Sequence, residues 1–163
     1  MTTEAEVLAL LVGQGATVAV AESLTGGLLG AALTAVPGAS AAFRGGVISY
    51  ATELKEGLLG VPGDLLAREG AVHPEVAAAM ATGVRNLTHA TYGVAVTGVA
   101  GPEPQDGRPV GTVHVAVSGP GGHVWHRNVR LDGSRDQIRV KTVKEAVDLL
   151  HGVLEANMRE HFG

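Results

Sequence analysis

The sequence contains no cysteine, and of its 163 residues only two are Phe, two are Tyr and one is Trp. Without cysteine there are no disulfides, no thiolate nucleophile and no Cys-ligated zinc or iron-sulfur centre, and a reducing compartment is compatible. The shortage of aromatics removes the platform on which bases stack, and a formal net charge of -4 removes any global attraction to a phosphate backbone. No nucleic-acid partner is expected. Long apolar runs are missing too, so no membrane partner is expected. The opening Met-Thr-Thr-Glu-Ala-Glu has neither the basic n-region nor the apolar h-region of a secretory signal, which leads to the expectation of a cytoplasmic protein. Lysine is scarce as well: there are three, at 55, 141 and 144.

What is present is 45% hydrophobic content with 24 glycines, enough for one domain over residues 1–163 whose core needs no staple. The stretch from Thr17 to Gly27 runs a β-branched apolar strand, Thr17 to Ala21, into Glu22-Ser23-Leu24-Thr25-Gly26-Gly27, and a helical pattern follows from Thr25 to Ala35. Such a junction aims several backbone N–H groups and a hydroxyl at one spot, suited to an anion or an oxyanion. A cap at Ser23 or Thr25 with close packing at the glycines explains the same residues without function.

Elsewhere, strand and helix patterns alternate. Helices are expected from Thr3 to Val12 with Gly13 as the stop, from Glu53 to Leu59 behind Thr52 as N-cap, briefly within Pro62 to Gly70, from Pro74 onward with Met80 in the core, and from a Ser134–Gln137 capping box to about Met158. Strands are expected from Phe43 to Ala51 and from Tyr92 to Val99. Val110 to Ser118 and His123 to Arg130 read as an antiparallel hairpin with one wetter face. These patterns predict a three-layer α/β/α sandwich with a mixed, mostly parallel sheet and a late antiparallel hairpin. If the early strands are parallel, Ser23, Tyr50 and the loop after Thr97 emerge at one end of the sheet, where ligands gather. The small-residue face from Ala77 to Gly83 suits either the sheet or a subunit contact, and a homo-oligomer is expected.

Several chemistries compete for these residues. No Gly-x-Ser-x-Gly elbow or Ser-x-x-Lys motif is present, and none of the seven histidines has a spacing that pairs it with Ser23. A lysine desolvated in an apolar pocket falls to a pKa of about 7 to 8 and serves as a base. Lys55, at a helix start where the dipole disfavours a cation, is the candidate, with Tyr50 to orient it or relay a proton. A solvated surface lysine is the plain alternative. His-x-x-His at 123 and 126 falls on opposite faces of a strand, so no metal site is expected. The segment Gly101 to Gly111 lacks the endings of a P-loop or a dinucleotide fingerprint. Arg135 and Arg139, one turn apart near a capped helix start, suit a phosphate or a solvated face equally.

Taken together, Ala21 to Gly27, Gly46 through Tyr50 with Lys55 following, Gly70-Ala71-Val72, Thr97 to Pro102 and Pro109 to Val113 resemble one family, that of the CinA C-terminal domain. The motifs stand in the family's order over nearly the whole chain, and the amino-terminal domain that full-length CinA proteins carry is expected to be absent. The resemblance implies a nicotinamide-nucleotide amidase, an amidohydrolase that converts nicotinamide mononucleotide to nicotinic acid mononucleotide and ammonia and so belongs to pyridine nucleotide salvage. It implies Ser23 as nucleophile with Lys55 and Tyr50 as its catalytic partners. It also implies substrate contacts at Gly46, Thr97, Gly98, Ala100, Gly101 and Arg135, with Arg139 as a second candidate for the phosphate. The backbone of Leu24, Thr25, Gly26 and Gly27 is expected to meet the oxyanion or the phosphate. No metal or organic cofactor is needed for this chemistry. Thr52, His73 and Ser134 depart from the residues usual in the family. The alternative is a non-catalytic nucleotide-binding or interaction module linked to DNA uptake or recombination.

Overall fold

The computed structural model describes the backbone of residues 3–162 and the side chains of residues 3–159. Two strands, β1 (Val18–Glu22) and β3 (Tyr92–Gly98), are buried along their whole length. They are the continuous apolar runs of the sequence, and a strand covered on both faces needs no polar alternation. β1 pairs in parallel with β2 (Phe43–Ile48) on one side and with β3 on the other. β4 (Thr112–Ser118) and β5 (Val124–Arg130) continue the sheet antiparallel, giving the order β2-β1-β3-β4-β5. Along β5 half-buried and exposed residues alternate from Trp125 onward, the expected wetter face of the hairpin.

The helices form the outer layers. α1 (Glu4–Gly13), α2 (Leu28–Thr34) and α6 (Arg135–Phe162) pack on one face of the sheet, while α3 (Thr52–Leu59), α4 (Gly63–Glu69) and α5 (Pro74–Thr88) pack on the other. Within β1 the period-two alternation sends Val18 and Val20 to the first face and Ala19 and Ala21 to the second. The second face is therefore lined with small residues, and α5 lies close to it with Val76, Ala77, Met80, Ala81 and Val84 all buried. Of the Ala77 to Gly83 face, Ala77, Met80 and Ala81 are thus buried inside the fold, while Ala78, Ala79 and Gly83 are half-buried. The result is a three-layer α/β sandwich around a five-stranded mixed sheet.

Local signals were obeyed at several ends. Gln137 N–H donates to Ser134 Oγ at 3.2 Å and Ser134 N–H to Gln137 Oε1 at 2.9 Å, a reciprocal capping box. Pro74 opens α5, and the His73 ring supplies the cap by accepting the Glu75 N–H through Nδ1. Three expectations fail. Gly13 is the last residue of α1 and not its stop: Gln14 is the C-cap, and the left-handed residue that reverses the chain is Gly15. Thr52 is the first residue of α3 and not its cap; Ala51 holds that position with no side-chain cap bond. α2 begins at Leu28, after a turn over residues 24–27.

Gly46, expected to touch substrate, lies within β2 opposite Val20. A Cβ there would stand 2.6 Å from Val20 Cγ2 and 2.7 Å from the Val20 carbonyl oxygen. Its hydrogen atom is what lets β2 lie against β1. Gly46→Ala is therefore expected to cost about 1–3 kcal/mol of folding stability, measured by urea unfolding, while the folded fraction keeps the ligand affinity of the parent. A ligand affinity that falls with stability unchanged would show instead that Gly46 contacts the ligand.

Candidate functional site

The chain leaves β1 for β2 on one side and returns to β3 on the other, so the carboxyl ends of β1 and β3 flank the point where strand order reverses. Open α/β sheets bind ligands at such a point. A cleft of about 320 Å³ lies there, lined by Ser23, Leu24, Tyr50, residues 98–105 and Arg135. This is near the lower end of the roughly 300–1,000 Å³ typical of ligand pockets.

At its edge Ser23 is 8% exposed, and Lys55, behind it in the first turns of α3, is 1% exposed. The Lys55 ammonium donates to Ser23 Oγ at 2.9 Å, to the Ser49 carbonyl at 2.6 Å and to the Tyr50 carbonyl at 3.5 Å. Three donors thus meet three neutral oxygens, and no carboxylate forms an ion pair with the lysine among the described residues. Burial pulls the Lys55 pKa from 10.5 down to about 8, against an opposing pull from the negative charge of Asp106. In the neutral amine, the two carbonyls engage the remaining N–H bonds and leave the lone pair to Ser23. A hydroxyl facing an amine whose pKa is lowered to about 8 is the arrangement that activation of a serine nucleophile requires.

The turn after Ser23 is set by a residue that sequence reasoning passed over. The Glu22 carboxylate, 2% exposed, accepts the N–H groups of Gly27 at 3.1 Å, Leu29 at 2.9 Å and Gly30 at 2.9 Å. It occupies the N-terminus of α2 with its own charge, where the helix dipole favours an anion. The amide of Gly26 goes to the Ser23 carbonyl at 3.1 Å. Gly26 and Gly27 are therefore committed inside the turn and do not present N–H groups to an oxyanion, contrary to expectation. The amides of Leu24 and Thr25 make no hydrogen bond among the described residues. Of these two residues only Leu24 lines the cleft. Thr25 Oγ1 is buried with no partner and caps nothing.

Residues 1–154 match the CinA C-terminal domain profile. The chain belongs to the CinA C-terminal domain family. It is 60% identical over 151 residues to a CinA-like protein of Frankia casuarinae, covering 93% of this chain and 35% of that protein. A CinA-like protein of Myxococcus xanthus is 47% identical over 149 residues, covering 90% of this chain and 35% of the relative. The chain thus spans about a third of the length of these curated relatives. Among solved structures, a competence-damaged protein (CinA) superfamily protein from Klebsiella pneumoniae superposes with a TM-score of 0.90 at 32% identity, covering 94% of this chain and 96% of that one. The competence/damage inducible protein CihA of Agrobacterium tumefaciens gives 0.85 at 36% identity, covering 92% and 96%.

The remaining expected residues divide cleanly. Gly98, Ala100 and Gly101 line the cleft, as does Arg135, whose guanidinium donates to the Gly101 carbonyl at 2.6 Å and to the Tyr50 hydroxyl at 3.1 Å. Tyr50 is 60% exposed, and it faces Lys55 with its carbonyl and not its hydroxyl, so a phenolic proton relay to the lysine does not form. Thr97 turns away and donates to the Ala71 carbonyl at 2.8 Å. Arg139 donates to the carbonyls of Leu24 at 3.0 Å and Thr25 at 3.3 Å, bracing the turn from behind, and it does not line the cleft. Among the described residues no three His, Asp or Glu side chains form a metal-sized cluster. No described helix is long and apolar enough to cross a membrane.

Besides Glu22, two residues of the site went unnoticed in the sequence: Ser49, through its carbonyl, and Asp106. A carbonyl ligand leaves no mark in a sequence. The acid just before a helix start was readable as a dipole partner, and the Asp-Gly pair at 106–107 as a tight turn.

The lysine carries a stability signature. Its folded-state pKa is depressed, so the cost of its buried charge is borne in full below pH 8 and is relieved as pH rises toward 10.5. Replacing it by methionine removes that cost. The stability difference between Lys55→Met and the parent should therefore favour the variant most at pH 7 and shrink steadily between pH 8 and 10.5, measured by urea unfolding at each pH. A difference independent of pH would mean that Lys55 titrates normally.

Proposed function

We propose that this domain is an amidohydrolase in which Ser23 is the nucleophile and Lys55 its base, and that its substrate is nicotinamide mononucleotide. The observation that carries the reading is the 2.9 Å contact between Ser23 Oγ and the buried amine of Lys55 at the mouth of the cleft. Neutral Lys55 takes the Ser23 proton as Oγ attacks the carboxamide carbon. The negative charge that develops on the carbonyl oxygen is met by the Leu24 amide, next to the nucleophile. The Lys55 ammonium then returns the proton to the carboxamide nitrogen, which leaves as ammonia. Water, deprotonated by the same lysine, hydrolyses the acyl enzyme and frees nicotinic acid mononucleotide and the Ser23 hydroxyl. No step requires a metal or an organic cofactor.

The choice of substrate rests on the family resemblance of the Ser23, Tyr50–Lys55 and Thr97–Pro102 motifs, and it fits the distribution of polar groups. Arg135 is the cation lining the cleft, on a protein of net charge -4, and it suits the nucleotide's 5'-phosphate. The exposed Tyr50 ring beside it offers a face to the pyridine.

Purified protein incubated with nicotinamide mononucleotide is expected to release ammonia, with kcat rising with pH through about 8 as Lys55 becomes neutral. Ser23→Ala and Lys55→Ala should each lower kcat at least about 10³-fold. Arg135→Ala should raise KM about 10- to 100-fold by losing a charged contact, and Tyr50→Phe should leave kcat within a few-fold. Saturable binding of the nucleotide without turnover would replace this reading by that of a binding module. Turnover unaffected by Ser23→Ala would remove the covalent mechanism.

A further inference from the structure

Within the loop between β3 and β4, Gln105 and Arg108 exchange both backbone hydrogen bonds, at 3.1 and 2.8 Å, around Asp106 at φ 52° and Gly107 at φ 74°. Positive φ at both central residues is a type I′ turn, for which Asp-Gly is a favoured pair. The tip of this small hairpin is tied down. Asp106 Oδ2 accepts the N–H of Ala71 at 3.2 Å, while the Ala71 carbonyl accepts Thr97 Oγ1–H at 2.8 Å. The Ala71 residue is thereby held on one side by β3 and on the other by the loop whose residues 103–105 form a wall of the cleft. Gly70 sits so close that a Cβ on it would stand 2.8 Å from Asp106 Cβ.

The same carboxylate also acts on a group that it does not bind. Lys55 is buried among neutral oxygens, and Asp106 is the acid whose field reaches it and favours its charged form. The other charges around the site are engaged elsewhere. Glu22 is bound to three amides of α2, Arg135 to Gly101 and Tyr50, Arg139 to Leu24 and Thr25, and Arg108 faces Glu69 at 3.6 Å, which also faces His73 at 3.6 Å.

We infer that Asp106 is a positioning residue of the cleft, latching its 103–108 wall to the Gly70–Ala71 turn and serving as the distant counter-charge of buried Lys55. The catalytic part of this inference rests on the Ser23–Lys55 reading above. In that chemistry Lys55 must both take a proton from Ser23 and return it to the leaving nitrogen. A carboxylate out of hydrogen-bond reach keeps the ammonium form accessible without competing with Ser23 for the amine.

Two substitutions separate the latch from the charge. In Asp106→Asn the amide oxygen still accepts the Ala71 N–H but the charge is gone; in Asp106→Ala both are gone. Two readouts need no turnover: hydrogen exchange of the Ala71 amide, and an NMR titration of the Lys55 side chain, one of only three lysines. The Lys55 midpoint should fall in both variants. Ala71 exchange should accelerate about tenfold or more in Asp106→Ala and stay near the parent rate in Asp106→Asn, with exchange in the sheet unchanged in both. On nicotinamide mononucleotide, the acid limb of kcat/KM should move to lower pH in Asp106→Asn, and KM should rise about tenfold in Asp106→Ala alone. An unmoved Lys55 midpoint in Asp106→Asn overturns the counter-charge, and unmoved Ala71 exchange in Asp106→Ala overturns the latch. If both readouts move as expected while the parent protein releases no ammonia, the inference stands and the amidohydrolase reading falls.

Discussion

A single buried cation constrains everything around the cleft. A lysine ammonium taken from water costs several kcal/mol unless its donors are met, and here they are met without an ion pair. The Ser49 and Tyr50 carbonyls, at the end of β2, supply two acceptors and the Ser23 hydroxyl at the end of β1 supplies the third. Two neighbouring parallel strands must therefore end in register, with α3 starting close enough to send Lys55 back beneath them. The close approach of β2 to β1 at Gly46 belongs to the same requirement. A lysine paired with a contacting carboxylate would stay charged; one held by carbonyls can become neutral, as the proposed base role requires.

An opposite charge is buried one residue before the serine. Glu22 is consumed by the first amides of α2, so the turn between it and the helix is fixed by charge-assisted bonds at one end and by Arg139 on its carbonyls at the other. Neither group touches the cleft, and together they hold Ser23 and Leu24 at its edge. Glu22 and Lys55 remain separate sites, each satisfied largely by backbone. In this arrangement the helix N-terminus, which elsewhere binds a ligand anion, is already filled by the protein, and Arg135 is left as the cation lining the cleft.

Much of this was legible beforehand. The continuous apolar strands at 18–22 and 92–98, the alternation of strand and helix, the late hairpin and the Ser134–Gln137 box all follow from local pattern, because periodicity and capping are properties of neighbouring residues. Ser23 and Lys55 also stood out, the first by its strand-to-glycine junction and the second as a rare lysine at the wrong end of a helix. The expected site residues that do not line the cleft share one feature. Gly46, Thr97, Arg139, Gly26 and Gly27 sit in the expected motifs, yet each is spent on a neighbour in space: Val20, Ala71, Leu24, Ser23 and Glu22 respectively.

The sequence by itself determined the order and type of the elements and the absence of thiol chemistry, and it marked out the serine and lysine proposed here as the reacting pair, since each is written in residue type and short-range spacing. The tertiary structure alone decided what those residues face: the Tyr50 carbonyl and not its hydroxyl on Lys55, the Glu22 carboxylate on α2, Asp106 on Ala71, and Arg135 rather than Arg139 in the cleft. Hydrogen-bond partners and electric fields depend on distances of a few ångströms, whether the groups are five residues apart, as Tyr50 and Lys55 are, or thirty-five, as Ala71 and Asp106 are, and only the packed chain fixes those distances.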